Sequence, residues 1–256
     1  MAHAKAKGRE FAANLTRSIR MTAKKMKTGL IPGSADRDDI DPTATSVAFE
    51  PCRVEDALPP ELVAATYDRA AARVREISSP DFKANYSPYD LRNIDAFVSL
   101  GRYGDAFRLL SVMLACRRPR GWRGWAEVVW ADMRAPEYIG DMPHTWIGAE
   151  FSCAVRRMLL RENGPTLELF RAVPDGWWAG EGITLNDLPT AFGVANLRAK
   201  RVRRRTTVDL SLTGPAPERI LVRYPGAKHA RADGSPCDIH ADVITTKVWS
   251  RLEIDF

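Results

Sequence analysis

The sequence lacks the patterns that mark a disulfide-linked, metal-binding or membrane-inserted protein. Its four cysteines include no CxxC pair and its four histidines no HxxxH pair, so neither a disulfide framework nor a metal site is indicated. No apolar run approaches the roughly 20 residues needed to cross a bilayer, and residues 1–10 lack the apolar segment of a secretory signal. We therefore expect a globular chain without a membrane or export signal of its own. No metal or other cofactor is implied, and the compartment stays unknown.

Acidic residues are scarce in two stretches, and these stretches account for the net charge of +6. Residues 1–27 hold eight Lys or Arg against Glu10 alone, and residues 198–205 hold six more without any acid. The rest of the chain is therefore net acidic, and nucleic acid is not the expected partner of its main body. We interpret the Arg-rich stretch 198–205 as a solvated edge strand.

Apolar residues recur with helical spacing before about residue 163, and with a period of two after it. The pattern predicts five helices, at about 4–27, 59–77, 87–100 and 102–117, and a last one that is marked by apolar residues from Ile147 to Leu159 and ended by Gly164 and Pro165. Because only Gly101 separates the third helix from the fourth, these two are expected to form an antiparallel hairpin. We therefore predict a mostly α fold, with a helical domain over residues 1–163 and a C-terminal antiparallel β domain over residues 164–256.

An acidic loop follows the first helix. Asp36, Asp38, Asp39 and Asp41 lie within six positions. Like charges this close raise the pKa of at least one carboxyl group if they share a dry site, which keeps an acid protonated for general-acid work near neutral pH. If the side chains point to water instead, the cluster is only a polar turn.

A second notable stretch, residues 121–151, combines aromatic and acidic side chains. Three Trp residues lie within nine positions around Glu127, and Asp141 follows after a loop. Indole faces stack on pyranose rings, and carboxylic acids move protons at the glycosidic oxygen. The stretch therefore indicates a sugar site, unless the Trp residues are core and Glu127 is only a solvated or capping acid. The candidate substrate contacts are Trp122, Trp125, Trp130, His144, Trp146 and Glu150.

Four segments, taken together, resemble a known family. They read LIPGSADRDDIDPTAT, GWRGWAEVVW, IGDMPHTWIGAEF and LFRAVPDGWWAGEGITLNDLPTAFG. In this order they resemble the C-terminal half of bacterial six-hairpin glycosidase-like proteins, the (α/α)6 toroids of the glycoside hydrolases. The resemblance covers most of residues 28–200. It implies a partial toroid of helical hairpins, followed by a small β-sandwich-like domain.

The resemblance also implies catalytic roles. Inverting hydrolysis or phosphorolysis by two carboxyl groups is the familiar chemistry, and the substrate would be an oligosaccharide or polysaccharide. The general acid would come from the acidic loop, as Asp39 or Asp41. The general base would be Glu127, with Asp141 as the second candidate.

The helix count leaves three alternatives open. Five or six helices make only about half of a toroid, and half a ring would expose apolar edges. The chain is then a fragment of a longer protein, or it completes its ring with a second polypeptide, or it is a non-catalytic remnant. In the last case it would be a carbohydrate-binding, polyanion-binding or structural module.

Overall fold

The computed structural model describes residues 2–37, 39–117, 121–130 and 140–256. Asp38, one of the four aspartates of the acidic loop, lies outside the described residues. The chain divides into two compact units, Met1–Ala154 and Val155–Phe256, called here the helical unit and the β unit.

Helices dominate the first unit. The described residues include α1 (Ala2–Met26), α2 (Pro42–Ser46), α3 (Pro60–Ile77), α4 (Asn93–Ser99), α5 (Tyr103–Cys116) and α6 (Thr145–Leu159), of which α6 continues into the second unit. Short 3-10 helices span Glu55–Ala57 and Pro88–Arg92, and β1 (Asn85–Tyr86) pairs with β2 (Val129–Trp130). Helices α1, α3 and α5 confirm the predictions made from apolar spacing.

The core of the helical unit lies around Tyr67 of α3. Pro59 and Pro60 start this helix, since proline is tolerated where no backbone N–H is needed. The Tyr67 ring is fully buried and packs edge-on against Phe49 at 5.4 Å and Phe97 at 5.7 Å. Helix α4, which carries Phe97, packs against α5. This core holds in place the 3-10 helix Pro88–Arg92, which precedes α4 and carries two residues of the site described below.

The β unit contains two larger sheets. Its strands are β3 (Leu160–Asn163), β4 (Thr166–Leu169), β5 (Ile183–Thr190), β6 (Gly193–Val202), β7 (Arg205–Leu212), β8 (Arg219–Arg223), β9 (His229–Ala232), β10 (Ser235–Pro236), β11 (Asp238–His240), β12 (Val243–Thr246) and β13 (Arg251–Asp255). A 3-10 helix spans Asp175–Trp178. The strand orders are β10-β9-β13-β7-β6-β5 and β11-β12-β8-β4-β3. Alternate residues of both sheets, among them Leu167, Val222, Leu197 and Leu252, share one buried core.

The expectation of a mostly α fold built on a partial (α/α)6 toroid was wrong. The described residues form six α-helices and three sheets, so the fold is mixed α/β. Two local signals were misleading. Apolar residues run on from Met158 to Leu160, and periodicity cannot separate a short buried strand from a helix end, so the strand β3 was counted as helix. In addition, β4 and β8 pair in parallel, which no hairpin pattern predicts.

The Arg-rich stretch was also placed wrongly. It belongs to β6, the turn after it and the start of β7, and β6 pairs with both β5 and β7. It is therefore an interior strand of the sheet rather than an edge strand. Among the described residues, we find no helix with the length and apolar character needed to span a membrane.

Candidate functional site

Two backbone hydrogen bonds bring the Trp-rich loop against the segment before α6. The Glu127 N–H donates to the carbonyl of Asp141 at 3.1 Å, and the His144 N–H donates to the carbonyl of Trp125 at 2.6 Å. The Ser87 hydroxyl donates to the Glu127 carbonyl at 2.6 Å, which ties the loop to the segment before α4. Residues distant in sequence are thereby held at one place.

Gly140 allows this approach. Its φ is +82°, a conformation that side-chain-bearing residues rarely adopt. A Cβ atom at this position would lie 2.8 Å from the Cβ of Glu127. The backbone at residue 140 can therefore approach Glu127 this closely only because a glycine has no side chain.

Three side chains meet as a result. One potential ligand atom from each of Glu127, Asp141 and His144 lies within 4.8 Å of the other two. Asp141 is exposed, whereas Glu127 and His144 are half-buried. We call these three residues the Glu127 cluster. It unites two carboxylic acids and one imidazole, which are the groups that proton transfer most often uses.

Tyr89 borders the cluster. Its ring packs edge-on against His144 at 5.5 Å and against Trp146 at 5.4 Å, and its hydroxyl lies 3.4 Å from His144 Nε2. Burial raises the pKa of Tyr89. The negative charges of Glu127, Glu150 and Asp141 raise it further, against the opposing effect of Arg92. Tyr89 therefore stays a neutral hydroxyl, able to donate and accept hydrogen bonds beside the carboxylates.

Glu150 and Arg92 hold the Trp146 ring in place. One carboxylate oxygen of Glu150 accepts from Arg92 Nε at 2.7 Å and from Trp146 Nε1 at 2.9 Å. The Arg92 guanidinium also lies 4.8 Å from the centre of the Trp146 ring. The Trp146 side chain nevertheless remains 54% exposed. The result is an oriented indole with open surface beside the Glu127 cluster.

The tautomer of His144 decides what the cluster can bind. The Ile147 N–H at the first turn of α6 donates to His144 Nδ1 at 3.3 Å, in the manner of an N-cap. A neutral imidazole that accepts at Nδ1 carries its proton on Nε2. A histidine that binds a metal usually donates its second ring N–H to an acceptor, whereas here that nitrogen faces a donor. The Glu127 cluster is therefore better suited to donating a proton from His144 Nε2 than to binding a metal ion.

The other predicted site residues have different surroundings. Trp125 is buried and packs on Phe151 at 5.2 Å, so it belongs to the core. Trp130 is half-buried in β2, and Trp122 is 57% exposed. Asp39 is exposed, with its carboxylate against Gly33. The Asp41 carboxylate caps α2 through the Thr43 N–H at 2.8 Å. The structure thus unites Glu127, Asp141 and His144 with Trp146 and Glu150.

Tyr89 and Arg92 were missed by sequence reasoning. Both lie more than thirty positions before Glu127, and no spacing rule connects them to it. The one local signal was the start of a helix at Ser87-Pro88, which the structure shows as a 3-10 helix with Ser87 as its N-cap. That signal predicts where the backbone turns, but it does not show what the following side chains face.

Comparison with known proteins adds little. No family model matches the sequence, and none of the curated proteins matches it. Among solved structures, the chain is similar to an alpha-L-rhamnosidase from Dictyoglumus thermophilum, with a TM-score of 0.49 and 10% sequence identity. The match covers 89% of this chain and 26% of that chain. This chain therefore spans about a quarter of the length of that protein, and a similarity this weak supports no functional assignment.

Proposed function

We propose that the helical unit binds a carbohydrate at the Glu127 cluster and hydrolyses a glycosidic bond there. The observation that carries this proposal is the meeting of Glu127, Asp141 and His144 within 4.8 Å beside the exposed ring of Trp146. An open indole offers an apolar face to a pyranose, and adjacent carboxyl groups exchange protons with its oxygens.

Each residue has a separate role in this proposal. Trp146, oriented by Glu150 and Arg92, stacks on the sugar ring. The Tyr89 hydroxyl and His144 Nε2 provide hydrogen bonds to sugar hydroxyl groups. Glu127 and Asp141 are the reacting pair. One carboxylic acid protonates the leaving oxygen while the other carboxylate forms an ester bond to the anomeric carbon, and water, deprotonated by the first carboxylate, then cleaves that ester.

The spacing of the two carboxyl groups favours retention of anomeric configuration. An inverting pair needs about 6.5–9.5 Å between carboxyl groups to admit a water, whereas a retaining pair lies about 5–5.5 Å apart. The approach of Glu127 to Asp141, within 4.8 Å, is closer to the second value. An inverting reaction would instead pair Glu127 with a carboxyl group outside the cluster, such as Asp41.

The test is hydrolysis of a panel of nitrophenyl glycosides and reduced oligosaccharides, with the product anomer followed by NMR. We expect turnover of at least one glycoside with retained configuration. Glu127→Gln should lose turnover but keep sugar binding, and Trp146→Ala should lose binding. Trp122→Ala is the matched control, because it removes an exposed indole that has no place in the proposed site.

Three results would count against the proposal. Binding without turnover would overturn the hydrolytic role and leave a carbohydrate-binding module. An inverted product would show that Asp141 is not a member of the reacting pair. If no sugar binds to the folded protein, or if Trp122→Ala and Trp146→Ala have equal effects, then the cluster is not a carbohydrate site.

A further inference from the structure

A second concave site lies in the helical unit, on the other side of Ser87. A cleft of about 470 Å³ is lined by Asp41, Asp90, Asn93, Arg69, Arg73 and Tyr86 among others. Ser87 also lines this cleft, while its hydroxyl is bound to the backbone of Glu127. Tyr89 faces the Glu127 cluster, and the next residue, Asp90, faces the cleft. One short 3-10 helix therefore serves two separate sites.

Asn93, which lines the cleft, has a buried side-chain oxygen without a hydrogen-bond donor in the described part of the chain. Its side chain is 2% exposed, and its Nδ2 donates to Asp90 Oδ1 at 3.5 Å. Its Oδ1 is buried and has no donor among the described residues. Buried polar atoms are nearly always paired, and each exception needs a cause, such as a water or a ligand. A donor placed at the floor of the cleft would supply the missing bond.

The carboxyl groups of the cleft add further acceptors. Asp41 keeps one oxygen bound to Thr43, by the N–H at 2.8 Å and the hydroxyl at 2.6 Å. Burial raises the pKa of Asp90 to about 6, and the charge of Asp41 raises it while that of Arg73 lowers it. Near neutral pH a carboxyl group of this kind can either accept or donate a hydrogen bond.

The charges around the cleft are mixed, and each sign acts against an ionic ligand of the same sign. Arg69 and Arg73 line it, and both pair with Glu76, at 2.7 Å and 3.3 Å. Their positive charges disfavour an ammonium ligand. The carboxyl groups of Asp41 and Asp90 disfavour a phosphate or a carboxylate. A neutral molecule with several hydroxyl groups meets neither repulsion, because it can donate to the acceptors and accept from the guanidinium groups.

We propose that the cleft between Asp41, Asp90 and Asn93 is a second binding site, for a neutral polyhydroxylated molecule of monosaccharide or cyclitol size. This site is separate from the Glu127 cluster and does not depend on the function proposed for it. A hydroxyl group of the ligand donates to Asn93 Oδ1, and the apolar side chains of Leu30 and Ile40, which also line the cleft, cover its carbon skeleton.

The experiment measures binding by saturation-transfer NMR and calorimetry. The probes are methyl pyranosides and myo-inositol, with putrescine and inorganic phosphate as charged counterparts. Asn93→Leu removes the unpaired oxygen at similar volume, and binding of the neutral probe should weaken roughly tenfold. Ile40→Trp fills the cleft without touching its polar groups and should abolish binding. Ile40→Trp also keeps the test valid if Asn93→Leu fails to fold.

Trp122→Ala serves as the matched control, because it removes an exposed indole that lines neither site. Binding that weakens in Asn93→Leu and Ile40→Trp but not in Trp122→Ala supports the second site. Binding lost only in Trp146→Ala places the sugar at the Glu127 cluster and overturns this inference while supporting the proposed function. The inference of a second site is also overturned if putrescine or phosphate binds more tightly than the neutral probes. It is overturned as well if none of the neutral probes binds and the cleft holds only water.

Discussion

The two units of this chain differ in how they arrange their acidic side chains. In the β unit, cations and anions pair across neighbouring strands, as Arg205 does with Asp255 and Arg251 with Asp209, both at 2.8 Å. The helical unit also has pairs of opposite charge, such as Arg92 with Glu150 at 2.7 Å. In addition, acids gather there, Glu127 with Asp141 in the cluster and Asp41 with Asp90 at the cleft.

This difference separates architecture from function. Exposed pairs of opposite charge cost little to form and contribute little to stability. Carboxyl groups brought together cost free energy, because their charges repel and burial disfavours the ionised form. Groups of acids are a common feature of functional sites, and both of the sites proposed above lie in the helical unit. We expect the largest effects from changes at the gathered acids and the smallest from a change at an exposed ion pair.

The largest effect is expected at Glu127. Glu127→Gln keeps the shape of the side chain but removes its capacity to exchange protons, so hydrolysis should fall by about 10²–10⁴-fold. Initial rates on the best glycoside of the panel measure this change. Glu253→Gln, in the charged surface of the β unit, is the control and should leave the rate unchanged. An equal loss in both variants would remove the distinction between the units.

The next effect concerns Asp90 and pH. Its pKa is raised to about 6 in the folded protein from a reference of 3.8, so the folded state holds the proton more tightly than the unfolded state. Its contribution to stability is therefore full below about pH 4 and is lost as pH rises through about 6. Asp90→Asn should stabilise the protein at pH 8 by on the order of 3 kcal/mol, and the gain should vanish near pH 4.

Chemical denaturation of both proteins across this pH range measures the difference. Taking the difference between the two proteins removes the contribution of the other titrating groups. A gain that is constant with pH would show that Asp90 is not the group whose proton is held in the fold.

A smaller effect is expected at Gly140. Gly140→Ala places a Cβ at positive φ and in collision with Glu127, so we expect a loss of about 1–3 kcal/mol in unfolding free energy and weaker sugar binding. Gly104→Ala is the control, because it adds a methyl group within α5 where no atom lies within 4 Å. Calorimetry should show no loss for that variant. Equal melting temperatures for both variants would mean that the approach of residue 140 to Glu127 is not required.

The smallest effect is expected in the β unit. Arg205→Gln breaks the exposed pair with Asp255, whose carboxyl pKa is lowered chiefly by its hydrogen bond to Arg205. We expect almost no change in the melting temperature, and sugar binding as in the wild type. A large drop in melting temperature would show that cross-strand pairs support this unit far more than exposed pairs usually do.

The sequence predicted local structure well and long-range structure poorly. The apolar spacing in α3 and α5 was sufficient because each helix buries its own stripe. The parallel pairing of β4 with β8 was not predictable, since it joins Thr166 to Arg219, which lies 53 positions later in the sequence. Its register depends on packing that no short window contains.

The candidate site shows the same division. Glu127, Asp141 and His144 were each identified from their residue types and neighbours. Their meeting depends on backbone hydrogen bonds between two loops, and on a glycine at residue 140 that lets those loops touch. Tyr89 could not be found, because its link to the cluster is a ring contact with His144, 55 positions away. Asn93 likewise became notable only when its burial was known.

The position of β13 has a consequence for how the β unit is made in the cell. This strand, Arg251–Asp255, lies between β9 and β7 in the six-stranded sheet and pairs with both. Until residue 255 has been synthesised and has left the ribosome, β7 and β9 present open edges with no strand between them. During this interval the open edges of β7 and β9 can pair with other chains, so the β unit is most prone to aggregation before β13 joins the sheet.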